Sequence, residues 1–101
     1  VSFTGGIPGG RAAAEVAARQ VKPVVMELGG KSPQIILQDA DMDLAVNGVV
    51  SGIFPATGQS CISGSRILVH QSQIQDFTAR LVNVASRAKV GDPLDPSTQV
   101  G

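Results

Sequence analysis

The sequence predicts an α/β fold in which mostly parallel strands are flanked by helices. Strand-like runs occur at residues 1–4, 24–28, 34–37 and 65–70. Helical patterns cover residues 11–20, 42–54 and 73–89. Although 43% of the residues are hydrophobic, only three are aromatic, and all three are Phe. A core of Val, Ile, Leu and Ala suits buried parallel strands beneath Ala-rich helices.

Composition excludes several other classes of protein. Eight basic and eight acidic residues are scattered along the chain, so no basic face for nucleic acid is expected. No apolar run is long enough to span a membrane, and no signal peptide is visible. One cysteine permits no internal disulfide and no metal cluster, which predicts a reducing, cytoplasmic compartment and no metal site. The chain begins at Val1 without Met, and both ends are expected to be cut from a longer chain.

A glycine-rich stretch, GGIPGG at residues 5–10, separates the first strand from the first helix. A helix N-terminus after a strand presents backbone N–H groups to an anion. The stretch matches no Gly-x-Gly-x-x-Gly register, and Arg11 stands where a P-loop needs Lys. Phosphate binding and a glycine-rich connection without a ligand both remain open on this pattern.

Glu27 is the one acidic residue in the apolar strand at residues 24–28. In an alternating strand it would point to water, whereas in a fully buried strand its carboxyl would need partners. Gly29 and Gly30 follow directly, and glycine at a strand end allows a ligand to come close. A carboxyl in this position is a candidate general base.

The second helix pattern is preceded by Asp41, which we expect to cap the helix at residues 42–54, and Pro55 ends it. Asp41 and Asp43 could also suggest a metal site, but the calcium-loop pattern is not completed. The helix at residues 73–89 carries an apolar stripe formed by Ile74, Phe77, Leu81, Val84, Ala85 and Ala88. Its basic residues, Arg80, Arg87 and Lys89, lie toward its C-terminus.

Cys61 is the only cysteine and lies between a Pro- and Gly-containing break and the strand at residues 65–70. A free cysteine often packs as a small hydrophobe, but glycine neighbours and a loop position favour a reactive group. His70 is the only histidine, and a Cys/His pair is a familiar nucleophile arrangement. Nine positions along the chain establish no contact, so we expect His70 to be exposed instead.

Two motifs carry a resemblance to a known family. Residues 26–33, MELGGKSP, resemble the glutamate signature of the aldehyde dehydrogenase superfamily. Residues 54–61 fit its cysteine signature, F-x-x-x-G-Q-x-C, and the separation of 34 positions between Glu27 and Cys61 also fits. The likeness continues through residues 3–5, 39–43 and 90–96, and so covers essentially the whole chain.

The resemblance implies part of a three-layer α/β sandwich that uses NAD(P)+ to oxidise an aldehyde to a carboxylic acid. Residues 1–24 would end the cofactor-binding domain, and residues 25–101 would begin the catalytic domain. Cys61 would be the nucleophile, and Glu27 would activate the water that hydrolyses the thioester. By position, the residues at the cofactor would be Gly5, Gly6, Gly9 and Gly10 at its phosphates and Leu28 near the nicotinamide. A homo-oligomer, dimer or tetramer, is implied for the whole enzyme.

Elementary chemistry agrees with those roles. Thiolate is the reactive form of cysteine, so a base or an electropositive setting is needed. We expect apolar Met26 and Leu28 to desolvate the Glu27 carboxyl, which suits a general base. The Cys61 backbone N–H can donate to a developing oxyanion, and in the family an upstream asparagine outside this chain supplies the second donor.

Two positions depart from the family pattern. Ser63 stands where Ala, Gly, Cys or Asn is usual, and Gly9 replaces a branched aliphatic residue that packs on adenine.

Two alternatives to the hydrolytic enzyme remain. A CoA-acylating relative would not need a water-activating Glu27, and a non-catalytic structural relative would need neither reactive residue.

Overall fold

The computed structural model describes all 101 residues and divides the chain into two compact units, Val1–Gly30 and Lys31–Gly101. Each unit contains one pair of parallel strands joined by a helix. The predicted α/β class with parallel strands is therefore confirmed. None of the helices is both long enough and apolar enough to cross a membrane.

The first unit consists of β1 (Ser2–Thr4), α1 (Ile7–Arg19) and β2 (Val25–Glu27). The strand register aligns Ser2 with Val25 and Thr4 with Glu27. Helix α1 begins at Ile7, so the prediction that it starts near residue 11 was wrong. Pro8 lies in the first turn, where it has no N–H to leave unsatisfied and its fixed φ suits the helix. Gly9 and Gly10 consequently belong to the helix and not to the turn.

The second unit contains β3 (Pro33–Ile36), α2 (Met42–Ile53), β4 (Arg66–Val69) and α3 (Ile74–Ala85). Pro55–Gly58 forms a short turn with left-handed backbone, and Gln71–Gln73 forms a short 3-10 helix. Strands β3 and β4 are parallel, with Ile35 opposite Leu68. The predicted cap is confirmed, because the Leu44 N–H donates to Asp41 Oδ1 at 3.0 Å.

The core of the second unit lies between α2, α3 and one face of the β3–β4 pair. Val46, Val49 and Phe77 are buried, and the partly buried residues around them are Ile36, Met42, Ala45, Val69, Leu81 and Val84. The predicted apolar stripe on α3 is thus confirmed at Phe77, Leu81 and Val84. It is wrong at Ile74, which is 49% exposed at the first turn.

Helix α3 also ends earlier than residue 89. The carbonyl of Lys89 accepts hydrogen bonds from the N–H groups of Gln99 and Val100, at 2.9 and 3.1 Å. These bonds draw the chain after Ser86 into a loop that returns along itself. Arg87 and Lys89 therefore follow the helix instead of lying in its last turn.

Candidate active site

The glycine-rich stretch follows the carboxyl end of β1, beside the end of β2. The Gly5 N–H donates to the Glu27 carbonyl at 3.0 Å, so this stretch and Glu27 share one edge of the parallel pair. Ligands of open α/β sheets commonly bind outside the carboxyl ends of the strands. The first unit thus places the predicted base and the predicted phosphate-binding glycines together.

Three of these glycines are needed for packing. A Cβ atom on Gly5 would lie 2.9 Å from Phe3 Cζ, and one on Gly9 would lie 2.8 Å from the same atom. A Cβ atom on Gly10 would lie 2.8 Å from Leu28 Cδ2. The Phe3 ring therefore fills the space that a side chain at position 9 would take, which gives the departure at Gly9 a structural reason.

The N-terminus of α1 fits an anion. Gly6 is the N-cap and provides no side-chain cap, and the first turn holds no acidic residue. The N–H groups of Ile7 and Gly9 have no acceptor within the chain, while Pro8 has no N–H. These free donors at the positive end of a helix suit a phosphate group.

Glu27 ends β2 with its side chain exposed, while Met26 and Leu28 are half-buried. Successive strand residues point to opposite faces, and both apolar neighbours lie against Gly10 of α1. The expectation that Met26 and Leu28 desolvate the Glu27 carboxyl was therefore wrong: their side chains turn away from it.

Cys61 lies in the second unit, in the connection from α2 to β4. The Ser63 N–H donates to the Ser60 carbonyl at 3.1 Å and closes a turn over residues 60–63, called the cysteine turn below. Cys61 is a free, exposed thiol at the first central position of this turn. Its N–H has no acceptor within the chain, so the predicted oxyanion donor is available.

The segment before the cysteine turn has an unusual backbone. Ala56, Thr57 and Gly58 have φ values of 52°, 56° and 70°, in the left-handed region. That conformation is routine for glycine and uncommon for a β-branched residue such as Thr57. The Thr57 hydroxyl donates to the Gly101 carbonyl at 2.9 Å, which helps hold this segment in place.

The segment after the cysteine turn is buried, in contrast to the thiol. Ser63 is 7% exposed and Gly64 is also buried. The Gly64 N–H donates to the Gly52 carbonyl of α2 at 2.9 Å, and the Gln34 side chain donates to the Gly64 carbonyl at 2.9 Å. The sequence alone assigns no special role to Gln34. The available signal was a polar residue inside an otherwise apolar strand.

His70 takes no part in the cysteine turn. It is exposed, as expected, and Nδ1 lies 2.8 Å from Ser72 Oγ while accepting from the Ser72 N–H. The Cys/His pair is therefore not formed. No group of three or more His, Cys, Asp or Glu side chains could hold a metal ion.

Known proteins match this chain along its whole length. A family model described as the aldehyde dehydrogenase family matches residues 1–101. A betaine aldehyde dehydrogenase of Brucella ovis is 46% identical over 101 residues, which make up 100% of this chain and 21% of that protein. The chain therefore spans about a fifth of the length of the relatives it matches.

Solved structures give the same result. The NAD+ complex of an aldehyde dehydrogenase from Bacillus cereus is 40% identical with a TM-score of 0.93, covering 100% of this chain and 21% of that one. A betaine aldehyde dehydrogenase from Staphylococcus aureus in complex with NAD+ is 42% identical with a TM-score of 0.92, covering 100% and 20%. With every residue matched by the family model and the backbone matched by these structures, the chain belongs to the aldehyde dehydrogenase family.

Proposed function

We propose that this chain forms the reactive part of an NAD(P)+-dependent enzyme that oxidises an aldehyde to a carboxylic acid, with Cys61 as nucleophile and Glu27 as general base. The longer protein that carries the chain is called the parent protein. The observation that carries the proposal is the exposed Cys61 thiol on its turn, with its own N–H free. Family membership over all 101 residues supports the same chemistry.

Cys61 begins the reaction. Its thiolate Sγ adds to the carbonyl carbon of the aldehyde, and the carbonyl oxygen becomes an oxyanion to which the Cys61 N–H donates. The exposed position of the thiol gives the aldehyde access to it. This addition yields a thiohemiacetal on Cys61.

The first unit would hold the dinucleotide. The phosphates of the dinucleotide fit the free N–H groups at the start of α1, among Gly5, Gly6, Gly9 and Gly10, and Leu28 lies beside Gly10. When bound, the nicotinamide accepts the hydride that leaves the thiohemiacetal, and a thioester remains on Cys61. Relatives solved with NAD+ favour that dinucleotide over NADP+.

Glu27 completes the cycle. Its exposed carboxylate takes a proton from water as the water oxygen adds to the thioester carbonyl. The C–S bond then breaks, the carboxylic acid leaves, Cys61 returns to the thiolate, and Glu27 releases its proton to solvent.

The proposal extends to the organisation of the parent protein. Residues 1–24 would close its cofactor-binding domain and residues 25–101 would open its catalytic domain. We expect a cytoplasmic homo-oligomer, a dimer or a tetramer, as the family resemblance implies.

The test is aldehyde-dependent NAD(P)H formation by the parent protein and its variants. Cys61→Ala should lower turnover more than about 1000-fold, as loss of a covalent nucleophile does elsewhere. His70→Ala is the matched control and should keep its activity, because the His70 side chain forms hydrogen bonds only with Ser72. Retained turnover in Cys61→Ala would refute the proposal.

Glu27→Gln separates the two halves of the reaction. We expect a rapid burst of NAD(P)H followed by slow turnover, because acylation continues while thioester hydrolysis lacks its base. Glu15→Gln, an exposed acid on α1, serves as control. Equal turnover with and without the Glu27 carboxyl would count against the base. A thioester of CoA as product, in place of the free acid, would instead identify a CoA-acylating enzyme.

A further inference from the structure

We infer that Gln34 is a positioning residue for Cys61, acting through Gly64 at the base of the cysteine turn. The inference rests on the proposed function of Cys61. Gln34 is 27 positions before Cys61 in the sequence, and it lies on a different element, β3.

Gln34 stands on the core side of its strand. It is half-buried like Ile36, two positions along, whereas Ile35 on the opposite face is 63% exposed. A polar amide thus replaces an apolar residue on the face that carries the core. A buried amide needs hydrogen-bond partners, and Gln34 Nε2 donates to the Gly64 carbonyl at 2.9 Å and approaches the Val49 carbonyl at 3.4 Å.

Both backbone polar groups of Gly64 are consequently held. Its N–H donates to the Gly52 carbonyl, near the end of α2 where a helix lacks internal donors. Its carbonyl accepts from Gln34 on β3. The residue that follows the cysteine turn is therefore tied to a helix on one side and to a strand on the other.

The Gln34 side chain leaves no room for a side chain at position 52 or 64. A Cβ atom on Gly64 would lie 2.4 Å from Gln34 Cγ and Nε2, and one on Gly52 would lie 2.9 Å from Gln34 Oε1. Gln34 thus occupies the space that both glycines leave open. Gly48, one turn earlier on α2, has nothing within 4 Å of its corresponding position.

These contacts fix the end of a turn whose thiol is otherwise exposed. Without the Gln34 amide, the buried Gly64 carbonyl has no donor and the turn can move toward water to find one. Small displacements of a nucleophile cost large factors in rate. Gln34 therefore determines where Cys61 lies relative to a bound aldehyde.

The test measures the burst rate of NAD(P)H formation in the parent protein. Gln34→Met keeps the length of the side chain but removes the donor, and should slow the burst about 10- to 100-fold. The KM for the dinucleotide should stay within about twofold, because the first unit is untouched. The inference would be overturned by an unchanged burst rate. It would also be overturned if the burst rate fell while the KM for the dinucleotide rose by the same factor.

A substitution at Gly52 tests whether a slower burst comes from the displaced Gln34 amide and not from misfolding. Gly52→Ala should slow the burst because its methyl group displaces the Gln34 amide, whereas Gly48→Ala should not. Gln34→Ala combined with Gly52→Ala should be no slower than Gln34→Ala alone, because the clash has then gone. Additive losses, or equal losses from Gly48→Ala and Gly52→Ala, would contradict the inference.

A readout without aldehyde separates this inference from the proposed function. Amide exchange of the Gly64 N–H and alkylation of Cys61 by iodoacetamide should both change in Gln34→Met and not in Gly48→Ala. If the parent protein shows no aldehyde-dependent burst, the proposed function fails while these two measurements still test the link from Gln34 to the turn. If they stay unchanged, the inference about Gln34 fails alone.

Discussion

Asp95 shows how one side chain in the last loop responds to pH. Its Oδ1 accepts from the Ser97 N–H at 2.8 Å and from Ser97 Oγ at 2.6 Å, and Lys89 Nζ lies 3.7 Å from Oδ2. The hydrogen bonds from Ser97, with a smaller contribution from Lys89, hold the pKa of Asp95 below its ordinary value of 3.8. The folded state therefore favours the charged form of this carboxyl more than the unfolded state does.

The sign of the pH dependence follows from that direction. A carboxyl with a lowered pKa in the folded state contributes stability that is present above the unfolded pKa and is lost as pH falls through the folded pKa. We expect this loss below about pH 3.8. Carboxyl-carbon NMR should show Asp95 titrating below that value in the 101-residue chain, and Asp95→Asn should remove its share of the acid dependence of unfolding. Titration at or above the ordinary value would contradict the assignment.

At the same scale, local chemistry explains why some residues could be predicted and others could not. The cap at Asp41 is recognisable because its partner, Leu44, is three positions away. From the sequence, the Glu27 carboxyl could point to water or be buried with partners. Strand alternation decides between the two only once β2 is known to pack on α1. The contact between Gln34 and Gly64 joins residues 30 positions apart, and no local pattern predicts it.

The elements themselves were predictable wherever proline or a capping acid marks a boundary. Helix α2 runs from Met42, directly after its Asp41 cap, to Ile53, shortly before Pro55. Helix α1 was misjudged because glycine suggests a turn, although Pro8 is well suited to a first helical turn. After the end of α3, the Lys89 carbonyl accepts hydrogen bonds from the N–H groups of Gln99 and Val100, ten and eleven positions away, and no local pattern predicts them.

Helix α3 permits a direct test of its contribution to stability. Phe77 is 2% exposed, whereas Ile74 on the preceding turn is 49% exposed. Phe77→Ala should lower the free energy of unfolding by about 3–5 kcal/mol, because it removes a buried ring and leaves a cavity. Ile74→Ala is the matched control and should cost well under half as much. Urea denaturation of the parent protein measures both, and similar losses for the two variants would contradict the assigned core.

For the whole chain, apolar surface is the dominant feature. Only Ala17, Val46, Val49 and Phe77 are buried hydrophobic residues, while fifteen large apolar side chains are exposed. Ile35 and Leu68 lie directly opposite each other on the outer face of the β3–β4 pair. Exposed contiguous apolar area of this kind promotes association.

The 101-residue chain should therefore bind the dye ANS. Replacing Ile35 and Leu68 together by Thr should lower ANS fluorescence, because Thr suits a β-strand and makes this face polar. Val82→Thr, on the exposed side of α3, is the control for a lone apolar residue and should change the signal less. Equal decreases would show that the outer face of the strand pair is not the site of dye binding.

The contact between Gln34 and its two glycines also limits how this segment can diverge among relatives. Since a Cβ atom at position 52 would lie 2.9 Å from the Gln34 amide, Ala at that position is compatible only with a shorter or displaced side chain at position 34. The two positions should therefore exchange residues together over evolutionary time, with Gln and Gly as one permitted pair. Position 48, which faces open space, should vary independently of both.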